Sequence, residues 1–264
     1  MAEKLSRKEL RAPDAFQKAG FEARDWFQAR QKMLLTGAAV IIVVGTGAGA
    51  MSYVASRSET RASKMLGGAL HSMGRPVKGA DATAEESEQE DSPPFATQRA
   101  KDEEVSKQLT ELRQKYPRTR AAVTSALPLA EAQYRLEDYD RALVTFEDFL
   151  KAIPAGDLLR AEALEGEGYA FEAKGQLEQA LLTFDQMART SKADFMPGMG
   201  LFHRARILIL QNKKDEAAKA LVEIKNDHPT SAAARMAAER LAMLSREGVK
   251  IPEAQAAKPA ADAG

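Results

Sequence analysis

Three histidines, His71, His203 and His228, are the imidazoles with which this chain could hold a metal or move a proton. They stand far apart, and none lies four residues from another or inside an H-E-x-x-H run, the spacing that sets two ligands on one helix face. A zinc site is not expected. Cysteine is absent, which removes disulfides, thiolate ligands, a cysteine nucleophile and a lipidated cysteine anchor. The carboxylate pairs Glu85 with Glu86 and Glu103 with Glu104 read as solvated charge on a linker and a helix face. Gly45, Gly47 and Ala50 fit G-x-G-x-x-A after a Val/Ile run, but they sit among uncharged residues with no amphipathic helix or acidic residue to complete a βαβ unit. No catalytic constellation emerges, so an enzyme, a cofactor and a small-molecule substrate are not expected.

The elements that would carry these residues are helical. Apolar residues make up 44% of the 264-residue chain and aromatics only 6%; Ala, Leu, Glu, Lys and Arg abound, which favours helix over sheet. Basic and acidic residues balance at 38 each, leaving no global field to draw the chain onto nucleic acid, and no nucleic-acid partner is expected. An all-α chain follows, with a single N-terminal transmembrane helix and a helical array behind it.

The membrane segment is residues 33–55. No charge interrupts it, and its centre runs from Ala38 through Val40, Ile41, Ile42, Val43 and Val44. About 20 helical residues cross the roughly 30 Å hydrocarbon core with every backbone polar group bonded within the helix. Arg30 and Lys32 stop it on one side, and Arg57, Arg61 and Lys64 on the other. Gly45, Gly47 and Gly49 allow close helix packing in the membrane. Ala48, Gly49 and Ala50 also resemble a signal-cleavage site, though the preceding segment is long and mixed in charge for a signal peptide. Residues 1–32 carry Phe16, Phe21, Trp26 and Phe27 among charges, as an amphipathic interfacial helix would. The bases near the span place the N-terminus in the cytoplasm and the C-terminal domain outside it.

Behind the span the helical pattern continues over 56–75 and breaks near Gly74 and Pro76. Residues 76–96 hold six acids from Asp81 to Asp91 and then Pro93 and Pro94, which reads as a flexible acidic linker. From 97 to 246 the chain repeats with a period of about 37. Ala142 with Phe146, Ala180 with Phe184, and Ala217 with Leu221 occupy equivalent places, each after a polar or Gly-containing turn; Pro154 and Pro229 close two of the units. Residues 247–264 read as a disordered tail.

This pattern resembles the tetratricopeptide repeat, a helix-turn-helix unit with small residues at the helix crossing and a proline after the second helix. The aromatic usual early in the first helix is replaced by Ala126, Leu164 and Leu201. The resemblance implies a concave wall built from the first helices, and aligning the units projects a partner-binding groove there: Leu127, Glu131, Tyr134 and Arg135, then Glu165, Tyr169 and Glu172, then Met199, Phe202, Arg206 and Ile209. The order of parts over roughly residues 20 to 246 is similar to the ancillary SecYEG translocon subunit family of bacterial envelopes; the acidic linker departs from it. That resemblance implies an inner-membrane protein with a periplasmic repeat domain, a scaffold joining translocon subunits or exported chains to periplasmic chaperones. The competing reading is a structural scaffold of a cell-division or outer-membrane-assembly complex.

Overall fold

The computed structural model describes Lys32, Thr46 and residues 49–78, 93–190 and 198–253. The chain divides into two compact units, Met1–Arg57 and Ser58–Gly264. In the first, residues 49–57 are helical, with Met51, Tyr53 and Val54 exposed and the Arg57 guanidinium 4.9 Å from the Tyr53 ring centre. Among the described residues no helix is long and apolar enough to cross a membrane. The expected span at 33–55 lies outside them except for Thr46 and residues 49–55, as do Gly45 and Gly47; a methyl added at Gly49 would meet nothing within 4 Å.

The second unit is a row of helical hairpins. Its first helix, α1, covers residues 58–74. Then come α2 (Gln98–Lys115), α3 (Arg120–Thr124), α4 (Ala126–Arg135), α5 (Tyr139–Ala152), α6 (Leu159–Ala173), α7 (Leu177–Thr190), α8 (Met199–Leu210), α9 (Lys214–Asp227) and α10 (Ala232–Arg246). Each helix packs chiefly on its neighbours in sequence, the one-dimensional order of a repeat array.

The breaks are set by local chemistry. Tyr116, Ile153 and His228 each precede a proline, and a residue before proline is held out of the helical region; α2, α5 and α9 end there. Thr119 and Ser231 follow two of those prolines and cap the next helix, their hydroxyls accepting from Ala122 N (3.2 Å) and Ala234 N (3.0 Å). Pro128 has no N–H for the Thr124 carbonyl, which separates α3 from α4 at Ser125.

The three inner turns share one geometry. Glu137, Gly175 and Asn212 all take positive φ, at 65°, 72° and 60°. In each, the following N–H reaches back five residues to Gln133 O, Phe171 O or Leu208 O at 2.8 to 2.9 Å, which satisfies a carbonyl at the helix end. Inside the hairpins Ala142, Ala180 and Ala217 are fully buried, and Phe146, Phe184 and Leu221 fill the crossings. Close approach is enforced by glycine: a Cβ on Gly166 would stand 2.4 Å from the Phe146 ring, one on Gly168 2.5 Å from Phe184, and one on Gly200 2.5 Å from the Ala188 backbone nitrogen.

The array begins earlier than residue 97. Ala62 and Ala69 of α1 are fully buried, and Leu66, Ala69 and Met73 pack with Val105 and Leu109 of α2 and with Leu129 and Ala132 of α4. Thus α1 and α2 form a hairpin of their own, and the acidic segment falls between its two helices. The ends of that segment are tied: Lys78 N donates to Phe95 O (2.9 Å), Phe95 N to Pro76 O (3.0 Å), and the Arg75 guanidinium lies 4.1 Å from the Phe95 ring centre. Residues 79–92 lie outside the described residues. At the other end Val249 and Ile251 pack against the core of the last hairpin, so the packed array continues beyond Arg246; residues 254–264 are again outside the described residues.

Candidate functional site

The first helices of the hairpins, α4, α6 and α8, carry the residues that the alignment projected onto one wall. Positions 131, 169 and 206 are equivalent, as are 134, 172 and 209. Glu131, Tyr134, Glu165, Tyr169, Glu172, Arg206 and Ile209 are half-buried, Met199 likewise, and Arg135 is exposed. This intermediate exposure suits an interaction surface, where a side chain is held by neighbours yet keeps a face free.

Two of the projected residues are core. Leu127 is 6% exposed within a cluster that includes Phe146 and Phe149 of its own hairpin and Ala163 of the next. Phe202 is 9% exposed, among Leu201, Leu208, Leu221 and residues of α10. In both cases the following unit covers a large apolar side chain that single-unit alignment leaves pointing outward.

The wall is bound together by charge between units. Arg206 on α8 forms a two-pronged ion pair with Glu172 on α6, one prong Nη2 to Oε2 at 2.6 Å, and its guanidinium lies 5.5 Å from the Tyr169 ring centre. Bidentate pairing fixes both position and plane. Arg135 on α4 meets Asp102 on α2 at 2.9 Å, and Asp102 also accepts from Gln98 Nε2 at 3.1 Å. Asp102 is 3% exposed, so these two donors compensate a carboxylate removed from water. Lys174 pairs with Asp140 beside the turns.

His203, isolated in the sequence, is not isolated in space. Its ring is 4% exposed, Nε2 stands 2.9 Å from Glu165 Oε1, and the Tyr169 hydroxyl is 3.3 Å from Nε2. A carboxylate only accepts, so Nε2 carries the proton in that contact. The imidazole lies against Phe184, ring centres 4.9 Å apart. Its place is equivalent to Pro128 and Gly166, a column otherwise filled by small or rigid residues, and that misfit was the signal available in the sequence. Glu162 on α6, which the alignment also left out, adds its negative charge to the surroundings of Glu131.

Electrostatics follow from this packing. Burial, reinforced by Glu165, pushes the Tyr169 phenol up to about 12, so it remains a donor. Burial and then Glu162 raise Glu131, against the opposing pull of Arg135. Burial raises Glu167, on another face of α6, to about 7, with Glu147 adding and Arg160 opposing. Among the described residues no group of three His, Asp or Glu side chains is placed to hold a metal ion, and His71 and His228 lie away from the Glu165 cluster on α1 and at the end of α9.

With the geometry in place, the comparisons are direct. Residues 200–231, comprising most of α8, the turn and α9, match the tetratricopeptide repeat family. No curated protein matches the chain. The chain therefore carries a tetratricopeptide repeat within an all-helical array of similar hairpins, an architecture that presents surfaces to protein partners and is typically not catalytic.

Proposed function

We propose that this chain is a membrane-anchored scaffold of the bacterial envelope that holds a partner protein along the wall formed by α4, α6 and α8. The observation that carries the reading is the wall itself: half-buried Tyr134 and Tyr169 stand in a row of charges locked by the pairs Arg206 with Glu172 and Arg135 with Asp102. Rigid aromatics amid fixed charges suit recognition, because little side-chain entropy remains to be lost on binding. The tetratricopeptide match at 200–231 supports a protein partner over a small molecule.

The anchoring half of the proposal rests on the uncharged run at 33–55 and its basic flanks. In this reading the N-terminus is cytoplasmic, the array periplasmic, and the partners are Sec translocon subunits on the membrane side and chaperones or exported chains on the wall. The mechanism is passive: tethering raises the local concentration of a partner near the export site, and no cofactor takes part. The test is fractionation with topology reporters. The full chain stays with membranes after an alkaline wash, deletion of 33–55 releases it, and a reporter fused after Gly264 reads periplasmic. Release of the full chain, or a cytoplasmic signal from that reporter, overturns the anchored reading.

A further inference from the structure

The loop between α5 and α6 presents apolar side chains to solvent. Leu158 is 81% exposed and Leu159 43%, and Pro154 and Ala155 before them are exposed as well. A single exposed leucine needs no explanation, but two in succession on a loop make a patch of apolar surface against water. Leu158 is also an unusual residue for its place. It stands at the start of α6 with no side-chain hydrogen bond, where two other loops between hairpins use Thr119 and Ser231 to cap α3 and α10. Asp157 supplies the acceptor instead, to Leu159 N at 2.9 Å. Leu158 therefore serves neither the core nor the helix end.

This loop lies on the edge at which the chain enters the array. Glu59, the second residue of α1, accepts from Arg120 N at 2.9 Å, so α1 begins beside the α2–α3 loop. Near the end of α2, Arg113 pairs at 3.2 Å with Asp148 near the end of α5, and the α5–α6 loop leaves from that same edge. Two residues, Ser56 and Arg57, separate α1 from the uncharged run at 33–55. So short a connection reaches about 10 Å at most, and the headgroup layer is about 5–8 Å deep on each side of a bilayer. Charge at the edge suits lipid phosphates. Arg118 and Arg120 are exposed, and among the described residues no carboxylate pairs with either. Four acids of this edge are engaged: Glu59 on the N–H groups of α3, Asp148 by Arg113, Glu147 by Lys151 at 2.6 Å, and Asp157 by Leu159 N. Exposed Glu162 lies a turn further into α6.

We infer that the α5–α6 loop is a second membrane contact: Leu158 and Leu159 enter the interfacial layer of the bilayer that holds the anchor, with Arg118 and Arg120 set against lipid phosphates. Leucines gain from leaving water at the acyl boundary, while the guanidiniums stay at headgroup level. The array is then held to the lipid by its entry edge, at two points instead of one, which restrains its swing about the tether. This inference rests on the anchored reading of 33–55.

The full chain lacks cysteine, so one introduced thiol carries one nitrobenzoxadiazole label, read in vesicles of phosphatidylcholine and phosphatidylglycerol with and without a nitroxide lipid. Ala155→Cys reports the loop, Ala173→Cys the far end of α6, and Val43→Cys the anchor. Quenching at 155 is expected to exceed that at 173 by about twofold or more. Adding Leu158→Ser with Leu159→Ser lowers it to the level at 173, and the pair leaves the fold intact because serine is favoured at a helix start. Quenching at 43 with 155 no different from 173 overturns the contact and leaves the anchor standing, as does quenching at 155 that the serine pair fails to reduce. No quenching at 43 overturns the anchored reading and this contact with it. A photocrosslinker at Leu158 that captures one protein in cells, where 155 is unquenched in vesicles, puts a protein in place of the bilayer and overturns the contact.

Discussion

The Glu59 carboxylate accepts the backbone N–H of Arg120 at 2.9 Å and, through its other oxygen, that of Ala121 at 3.2 Å, a contact spanning 61 positions of sequence. A residue of α1 thereby caps α3, because the first N–H groups of a helix have no partner within it. The carboxylate also meets the positive end of the helix.

The cap has a measurable consequence. Glu59→Ala removes two charge-assisted acceptors and is expected to cost about 1–2 kcal/mol, while Glu59→Gln recovers part of it through one amide oxygen. Hydrogen exchange should show the loss first in Arg120 and Ala121 and in the α1 amides, with α8 and α9 unchanged. Uniform protection in both variants would deny the cap a role.

The inner turns predict opposite signs for similar edits. Glu137 sits at φ 65° where its counterpart is Gly175 at φ 72°. A left-handed conformation costs an ordinary L-residue about 1–2 kcal/mol, so Glu137→Gly should stabilise the array by about 1 kcal/mol. Gly175→Ala should destabilise it by about the same amount, since no side chain stands within 4 Å to blame for a clash. Denaturant midpoints read both; equal signs would contradict the shared turn geometry.

Small residues at the crossings give a graded series. Gly166→Ala presses on the Phe146 ring and Gly168→Ala on Phe184, both side chains fully enclosed, whereas Gly200→Ala presses on the backbone of α7 at Ala188. Overpacking costs about 1–3 kcal/mol, with Gly200→Ala the most severe because a backbone cannot change rotamer. Phe146→Leu should rescue Gly166→Ala and leave Gly200→Ala unrescued.

Stability should depend on pH through Glu167. Its carboxyl is raised to about 7 by burial, so the folded state binds the proton more tightly than the unfolded chain does. The associated stability is fully present below about pH 4.5 and is lost as pH rises through about 7, a loss of about 1–2 kcal/mol after allowing for solvent. Glu167→Gln should flatten most of the difference between pH 5 and pH 8; a smaller slope of the same sign remains from Glu131. An unchanged slope in the variant would assign the pH dependence elsewhere.

Much of the array was legible in the sequence because its signals are local and repeated. Ala142, Ala180 and Ala217 mark the crossings, and the prolines at 117, 154 and 229 mark helix ends without reference to anything distant. What escaped depends on contacts between units. Nothing near Glu59 announces that it caps a helix at Arg120, so the sequence alone makes α1 an extension and the acidic segment a linker, with the array opening at α2. Leu127 and Phe202 looked outward until the next unit was packed over them. His203 looked alone because Glu165, its partner at 2.9 Å, lies 38 residues away.

The central claim is that partners bind along α4, α6 and α8. Photocrosslinking amino acids at Tyr134 and Ile209 on that wall should therefore capture the same protein in cells. The same reagent at Val144 and Leu182, exposed on the second helices of the hairpins, should capture none of it. Capture of one partner from Val144 and Leu182 with nothing from Tyr134 and Ile209 would contradict the account.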